Sequence, residues 1–366
     1  MKKDNKNNHW QHVPPESQNL KGRHLRNAFD YLITAFPSFL RLIIMRNNNI
    51  VLNEHNPKPK LDLRTSLLKP YARFTLPLTP HMKYSLLDHV HGLKNVRSVT
   101  KSIVSSLVGI AIKQEAIRSV SQNISKFFPQ ISNNGSKSKI TIHHLLSMTS
   151  GIPSIDNYSR MKKYLGKKHW NEYILHVPLE SEPGQQFIYS SANYHLLTYI
   201  VAQAAGKNTL DFAWEYLFNP LGITDFFWEC DPDGTPFGGS NLFLNPQDML
   251  KFGLLNLNQG IWQDKQIIPA SWISRAIQPH VKVSEEDQYG YGWWLNHKSS
   301  ADENVSTFIY SACGVGGQRI IIIPGYQIVV VVTCLTSLYV DSSIVDSIIP
   351  KFILPAIMDS MKIDTI

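Results

Sequence analysis

The sequence predicts an α+β fold in which both ends of the chain contribute strands to one sheet and a large, mainly helical region is inserted between them. Two observations lead to this prediction. Runs rich in β-branched residues lie near residues 39–54 and 319–333, and each surrounds a turn signal. Between them, apolar residues recur at helical spacing beside capping residues. With 366 residues, 43% hydrophobic and 17% charged, the composition is that of a globular protein.

Each terminal run has the form of a β-hairpin. Residues 39–45 and 50–54 flank an asparagine-rich turn. Residues 319–323 and 327–333 flank Pro324-Gly325, a pair that suits a type II turn. Because the second pair of strands is apolar throughout rather than alternating, we expect helices to cover both faces of the sheet.

Helix signals dominate between the hairpins. Residues 98–112 are small or apolar almost throughout, which is typical of a helix buried on nearly every side. Apolar stripes, N-caps, glycine stops and prolines predict four further helices, over residues 141–148, 192–205, from 246 onward, and 343–361.

The polar residues 1–30 predict a loosely held N-terminal arm, and residues 31–366 predict one domain. We expect its α/β part at about 31–115 and 286–366 and its helical part at about 116–285. No apolar run has the roughly 18 residues of a membrane helix, and the first residues lack a secretory signal. The sequence therefore predicts a cytoplasmic protein without a membrane span.

Composition also argues against several partners. The net charge of +8 is spread along the chain without a recognition motif, so we expect no nucleic-acid partner. Three cysteines are too few and too scattered for a disulfide framework or a zinc site. Asp88, His89 and His91 have metal-like spacing, but such a pair of histidines more often belongs to a polar loop. We expect neither a metal nor a cofactor.

Ser98 and Lys101 give the first chemical signal, in the first turn of the buried helix. Residues at i and i+3 share one face, so the hydroxyl and the amine should point the same way. Burial disfavours the charged amine, and a neutral amine beside a hydroxyl is what a serine nucleophile requires. Because the spacing is common by chance, a helix cap with a solvated lysine is the alternative interpretation.

Two further stretches could carry chemistry. Tyr189 precedes the helix at 192–205, where its phenol is either a packed, hydrogen-bonded group or a proton shuttle facing a cleft. Residues 311–318 hold three glycines in four positions, which lets the backbone approach another group closely. An amide of this stretch could face a developing oxyanion.

The order of these motifs resembles the serine β-lactamase and penicillin-binding-protein superfamily. Accessory stretches resemble its esterase, amidase and aminohexanoate-oligomer hydrolase branch, namely residues 140–151, 219–223, 248–253 and 289–294. The resemblance implies a mostly antiparallel five-stranded sheet flanked by helices. It also implies a cofactor-free enzyme that cleaves an ester or amide of a small molecule through a serine acyl-enzyme.

The resemblance further implies residue roles. Ser98 would be the nucleophile, Lys101 would activate it and Tyr189 would pass the proton to the leaving group; either Lys101 or an ionised Tyr189 could be the base. The backbone amides of Ser98 and Val315 would form the oxyanion hole, where a helix N-terminus favours negative charge. Residues of the glycine-rich and aromatic stretches would line the substrate pocket, namely Gly314, Gly316, Tyr291, Trp293 and Trp294, although core packing is an alternative for the three aromatic residues.

Two departures from the family pattern narrow the substrate. Many relatives have tyrosine-x-asparagine where this chain has Ser191 in the third position. β-Lactamases and penicillin-binding proteins have lysine or histidine where this chain has Ala312, and that cation meets the substrate carboxylate. The missing cation argues against β-lactams or D-alanyl peptides as the main substrates, and an uncharged or cationic acyl compound fits better. A β-lactamase or penicillin binder is the alternative function, and a catalytically silent binding protein is another. His143 and His144 are interpreted as structural, and Cys313 as a small buried residue or a neighbour of the hole.

Overall fold

A computed structural model describes residues 10–60, 92–156, 168–301, 304–335 and 342–358. Its α-helices are α1 (Gly22–Ala35), α2 (Val99–Lys113), α3 (Ile142–Leu146), α4 (Trp170–His176), α5 (Ser191–Ala205), α6 (Thr209–Ala213), α7 (Pro246–Leu257), α8 (Ala270–Ala276) and α9 (Ser343–Asp346). Short 3-10 or π-helical turns lie at Pro15–Gln18, Ile124–Lys126, Pro129–Ile131, Gly135–Lys139, Trp214–Phe218, Pro324–Tyr326, Ile349–Ile353 and Leu354–Ala356. The strands are β1 (Phe39–Arg46), β2 (Asn49–His55), β3 (Lys94–Asn95), β4 (Phe227–Trp228), β5 (Leu242–Leu244), β6 (Ile261–Trp262), β7 (Lys265–Gln266), β8 (Val281–Lys282), β9 (Gln288–Tyr289), β10 (Trp294–Ser299), β11 (Ser306–Gly314), β12 (Gln318–Ile323) and β13 (Ile328–Cys334).

One antiparallel sheet joins the two ends of the chain, in the order β2-β1-β13-β12-β11-β10-β9-β8. The predicted α+β class and the sheet built from both ends are confirmed. The expected count of five strands is wrong, since the main sheet has eight strands in the part of the chain that the structure describes. The edge strands β8 and β9 have two residues each, too few to give a periodic sequence signal.

Both predicted hairpins form. Asn47 and Asn48 connect β1 to β2 with φ of 48° and 62°, a left-handed conformation that asparagine tolerates well. The loop between β12 and β13 differs from the expected type II turn. Its residues form the 3-10 turn Pro324–Tyr326, and Gln327, rather than the glycine, takes the positive φ of 54°.

Helices cover both faces of the sheet, as the apolar strands predict. Along β12, the side chains of Ile320 and Ile322 enter the core shared with α2, α5 and α7, whereas Ile321 and Ile323 enter a second core shared with α1 and the C-terminal turns. This alternation follows from the two-residue period of a strand. The larger core contains α2 and so fixes the element that carries Ser98.

Residues 10–30 are not a loosely held arm. Residues 22–35 form α1, whose side chains Leu25, Ala28, Phe29 and Leu32 are buried against the sheet and the C-terminal turns. A stripe of apolar residues three or four apart anchors this helix even though the segment is polar on average. The division of the rest into an α/β part and a helical part stays a prediction.

Two further expectations concern a membrane span and the histidine pair near residue 90. Among the described residues, no helix is both long and apolar enough to cross a membrane. The group of Asp88, His89 and His91 lies outside the described residues.

Candidate active site

Ser98 and Lys101 meet at the start of α2, as their spacing predicts. Lys101 Nζ lies 2.9 Å from Ser98 Oγ. Ser98 occupies the N-cap position, but its side chain makes no capping hydrogen bond, and Lys101 is only 1% exposed. The alternative of a helix cap with a solvated lysine is therefore wrong.

Among the described residues, the Lys101 amine has three oxygen partners. Besides Ser98 Oγ, it donates to the Gly239 carbonyl at 2.7 Å and to Ser191 Oγ at 3.0 Å. The ring of Tyr189 lies 4.7 Å from Nζ, measured to the ring centroid. A buried amine requires such partners, because water cannot reach it.

Ser191 is held by Asp156, which sequence reasoning did not identify. The Ser191 hydroxyl donates to Asp156 Oδ1 at 2.5 Å, and the Ser191 N–H donates to Asp156 Oδ2 at 2.8 Å. Both carboxylate oxygens thus hold the first residue of α5. Ser191, the residue at which the sequence departs from the family pattern described above, thus contacts the lysine directly.

Gly239 also escaped sequence reasoning. A Cβ atom at this position would lie 2.2 Å from Ser191 Cβ, so only glycine lets the carbonyl of residue 239 reach Lys101. The neighbouring Gly238 is equally constrained, with a Cβ position 2.1 Å from the Tyr194 carbonyl oxygen. The pair Gly238-Gly239 was the available signal in the sequence.

The backbone before Ser98 is tightly constrained. Arg97 has a φ of 54°, in the left-handed region that non-glycine residues rarely adopt and that is often found at functional sites. The Thr100 hydroxyl donates to the Arg97 carbonyl at 2.6 Å. From Val99 to Ala111, every residue of α2 is buried. A rigid helix in the core thus fixes the direction of the Ser98 side chain.

A cleft of about 400 Å³ opens beside Ser98 and Tyr189. The cleft lies over β10, β11 and β12, on the face of the sheet that α9 covers. Apolar side chains provide part of its lining, namely Trp294, Val315, Ile309, Ile321 and Ile349. Its polar residues include Asp287, Asn296 and Lys298.

The predicted pocket residues divide between this cleft and the core. Gly314 and Trp294 line the cleft, and the Trp294 ring stacks on Tyr189 with centroids 6.0 Å apart. Trp293, the residue immediately before β10, is 1% exposed and stacks on Phe252 in the larger core.

Two other predicted pocket residues lie away from the cleft. Tyr291 is also buried, with its hydroxyl 2.7 Å from His143 Nδ1. Gly316 is buried in the turn after β11. For Tyr291 and Trp293, core packing is the correct interpretation.

The two residues whose amides are predicted to form the oxyanion hole line the same cleft. Ser98 and Val315 both line the cleft, and among the described residues neither N–H has a protein acceptor. Gly314 brings them together, since a Cβ there would lie 2.4 Å from the Val96 carbonyl oxygen. The glycine-rich stretch therefore allows a close backbone approach, as its composition predicts.

The remaining candidates from the sequence are His143, His144 and Cys313. The His144 side chain accepts from the Thr141 N–H in a capping box at the start of α3. Burial lowers the pKa of His143 and His144. Cys313 lines the cleft, and burial raises the pKa of its thiol to about 12. At neutral pH this thiol is protonated and therefore a weak nucleophile.

The fold described above is that of the β-lactamase family. The family model for β-lactamase matches residues 93–340, more than half of the chain, and the chain belongs to this family. Protein flp of Staphylococcus aureus (strain COL) is 30% identical over 302 residues, which cover 73% of this chain and 56% of that protein. The alignment thus covers little more than half of that relative's length.

Solved structures share the fold at low sequence identity. EstCE1, a hydrolase with promiscuous acyltransferase activity, superposes with a TM-score of 0.69 at 16% identity, covering 94% of this chain and 99% of that one. A candidate 6-aminohexanoate-dimer hydrolase from Bacillus anthracis superposes with a TM-score of 0.67 at 15% identity, covering 93% and 86%. These likenesses establish the β-lactamase-like fold.

Proposed function

We propose that this chain is a serine hydrolase that cleaves an ester or amide bond through an acyl-enzyme on Ser98. The observation that carries the proposal is the 2.9 Å contact between Lys101 Nζ and Ser98 Oγ at the mouth of the cleft. A serine becomes a nucleophile when an adjacent base can take its proton. Lys101 Nζ is within hydrogen-bond reach of that proton, and the packing around the buried Lys101 side chain keeps the amine in this position.

The contacts of Lys101 support its role as the base. The Gly239 carbonyl can only accept, and the Ser191 hydroxyl proton is committed to Asp156, so Lys101 donates an N–H to each. The remaining tetrahedral position of Nζ points to Ser98. In the neutral amine this position is the lone pair, and it receives the Ser98 proton as Oγ attacks the substrate carbonyl carbon.

The oxyanion and the leaving group complete the reaction. As the Oγ–C bond forms, the carbonyl oxygen becomes an oxyanion that the N–H groups of Ser98 and Val315 can stabilise. Collapse of this intermediate expels the alcohol or amine, which takes the proton held by Lys101; Tyr189 lines the same cleft, and its phenol is the group proposed to carry this proton to the leaving group. Water then attacks the acyl-enzyme with the same groups acting in reverse, and the acid and free Ser98 result.

The charges of the cleft favour an uncharged acyl group. Ala312 is fully buried at the position where the family resemblance implies a cation that meets a carboxylate. Lys298 pairs with Glu286 at 3.1 Å, and Arg319 pairs with Asp346 at 2.7 Å. With both of these cations paired, a carboxylate substrate would find no free counter-ion among the described residues that line the cleft.

A substrate panel tests the proposal. We expect the wild-type protein to hydrolyse neutral acyl esters or amides faster than chromogenic cephalosporins, and Ser98→Ala to lower kcat at least about a thousandfold. Ser105→Ala is the matched control, because Ser105 lies in the same helix with a buried hydroxyl that has no partner among the described residues. It should retain full activity.

Two experimental outcomes would refute the proposal and favour one of the alternative functions. Fast acylation by penicillin with slow ester hydrolysis would assign the chain to β-lactamase or penicillin-binding chemistry. Equal activities of wild type, Ser98→Ala and Lys101→Ala would leave only a binding protein on this fold.

A further inference from the structure

Arg319, in β12, lies behind the predicted oxyanion hole with every guanidinium N–H bonded. Nε and Nη2 donate to the two carboxylate oxygens of Asp346 at 2.7 and 2.8 Å, and Nη2 also donates to Ser342 Oγ at 3.0 Å. Nη1 donates to the carbonyl oxygens of Gly314 at 2.9 Å and Gln318 at 3.0 Å. A guanidinium has five N–H donors, so these five bonds saturate it.

The bond to Gly314 bears on the chemistry. The Gly314 carbonyl and the Val315 N–H belong to one peptide unit, and in a trans peptide these two groups point in opposite directions. Holding the carbonyl oxygen against Arg319 therefore aims the N–H of Val315 away from Arg319. We propose that Arg319 is a positioning residue that clamps this peptide plane, so that the Val315 N–H faces the oxyanion formed at Ser98.

The glycines around this peptide leave its orientation flexible unless another group restrains it. The peptide lies between Gly314 and the turn containing Gly316 and Gly317, whose φ values are 80° and 91°. Glycines leave such a turn many backbone conformations, so a fixed N–H direction needs an external restraint. Arg319 is 4% exposed and anchored by Asp346 of α9, which provides that restraint. A cation on the carbonyl also polarises the peptide and strengthens its N–H as a donor.

The same bonds exclude another role. Arg319 lines the cleft and could be taken for a receptor of a substrate carboxylate. With all five donors bonded to protein oxygens, it has no N–H left for one.

Arg319→Met tests the clamp, which rests on the proposed function. Methionine keeps the length and apolar stem but has no donor, so we expect kcat to fall about tenfold, less than the hundredfold or more for loss of a whole oxyanion donor. The control is Arg46→Met, which removes a buried arginine of the same sheet that donates to the Asn19 carbonyl far from Ser98. Arg46→Met should lower the melting temperature without changing kcat.

The decisive readout compares an ester with its thiono analogue, in which sulfur replaces the carbonyl oxygen. Sulfur is larger and a weaker acceptor, so an ordered oxyanion hole favours the oxygen substrate. We expect Arg319→Met to reduce the ratio of the two kcat/KM values about tenfold. The ratio does not depend on the fraction of folded protein. Asp346→Asn, which weakens the anchor but keeps the arginine, should reduce the ratio about threefold.

The outcomes separate the two proposals. If Ser98→Ala retains the wild-type rate, the serine hydrolase proposal fails. If Ser98→Ala is inactive but Arg319→Met keeps the wild-type ratio, the clamp alone is refuted. A selective rise in KM for esters bearing a carboxylate would also refute the clamp, and would make Arg319 a substrate receptor.

Discussion

Asp156→Asn is the most informative change around Lys101. Asparagine keeps the size of the side chain but replaces one acceptor oxygen by an N–H donor. Its Oδ1 can still accept from the Ser191 N–H, and its Nδ2 then donates to Ser191 Oγ. The Ser191 hydroxyl proton consequently turns toward Lys101 Nζ and occupies the lone pair that should receive the Ser98 proton.

The magnitude follows from the contacts. In the Asp156→Asn variant, the hydrogen bond from the Ser191 hydroxyl to Lys101 Nζ must break before each turnover, which costs about 1 kcal/mol. Because Ser191 Oγ lies 2.5 Å from Asp156 Oδ1 and 3.0 Å from Lys101 Nζ, the lost charge is at most about 5.5 Å from the amine. Coulomb's law with a dielectric constant of about 20 gives roughly 3 kcal/mol, which solvent around the exposed Asp156 reduces to about 1 kcal/mol. The sum of about 2 kcal/mol predicts a kcat roughly thirtyfold lower.

The assay is a double-mutant cycle on ester hydrolysis, with Asp156→Asn, Ser191→Ala and the double variant. If Asp156 acts through the Ser191 hydroxyl, adding Asp156→Asn to Ser191→Ala should lower kcat by less than about fivefold. Asp211→Asn, at an exposed acid in the first turn of α6, controls for the loss of one charge and should have the wild-type kcat. Fully multiplicative effects of the two variants would refute the reasoning.

Three further predictions concern stability and reactivity. Gly239→Ala should destabilise the fold by about 1–3 kcal/mol and lower kcat, since its Cβ would lie 2.2 Å from Ser191 Cβ; an unchanged thermal melt contradicts this. Burial lowers the pKa of His143, His144 and His280, so the stability they provide is present above pH 6.5 and lost as the pH falls below it. His280→Phe should therefore flatten the fall in melting temperature between pH 7.5 and 5, and an equally steep fall would count against it. Since burial raises the pKa of Cys313 to about 12, iodoacetamide at pH 7.5 should alkylate the exposed Cys230 first, without loss of activity; peptide mapping checks the order.

The parts of the fold that the sequence predicts correctly have local causes. The N-terminal hairpin follows from the asparagines that adopt positive φ, and α5 ends at Gly206 because glycine accepts the left-handed cap with a φ of 64°. Asn245 caps α7 by accepting from the Asp248 N–H at 2.9 Å. In each case a short-range interaction decides the structure, so a few residues are enough to predict it.

Elements stabilised by distant contacts were missed. The helix α1 has a polar composition, and its four buried residues gain stability only against the sheet and the C-terminal turns. The strands β8 and β9 exist because β10 extends the sheet beside them. Trp293 and Trp294 were assigned to one pocket, although Trp293 packs in the larger core and Trp294, the first residue of β10, lines the cleft.

In the candidate site, too, features with local causes can be predicted from the sequence and features that depend on distant contacts cannot. The approach of Ser98 and Lys101 follows from helix geometry, which one turn of sequence determines. Gly239 reaches the lysine from a loop 138 residues away in the chain, whereas Asp156 acts on it through Ser191, which lies 35 residues from Asp156 and 90 from Lys101. Arg319 contacts Gly314 across a strand pair and α9 through Asp346. The pair Gly238-Gly239 indicates a close backbone approach, but no local pattern identifies the distant partner in any of these contacts, so the folded structure is needed to reveal them.

The most direct test of the central claim is to locate the covalent intermediate. After incubation with a fluorophosphonate, intact-mass spectrometry and peptide mapping should show one adduct, on the peptide that contains Ser98. Ester hydrolysis should fall in proportion to labelling, and Ser98→Ala should remain unlabelled while Ser105→Ala is labelled like wild type. A folded wild-type protein that hydrolyses esters without an adduct on Ser98, or that carries the adduct on another residue, would contradict the account.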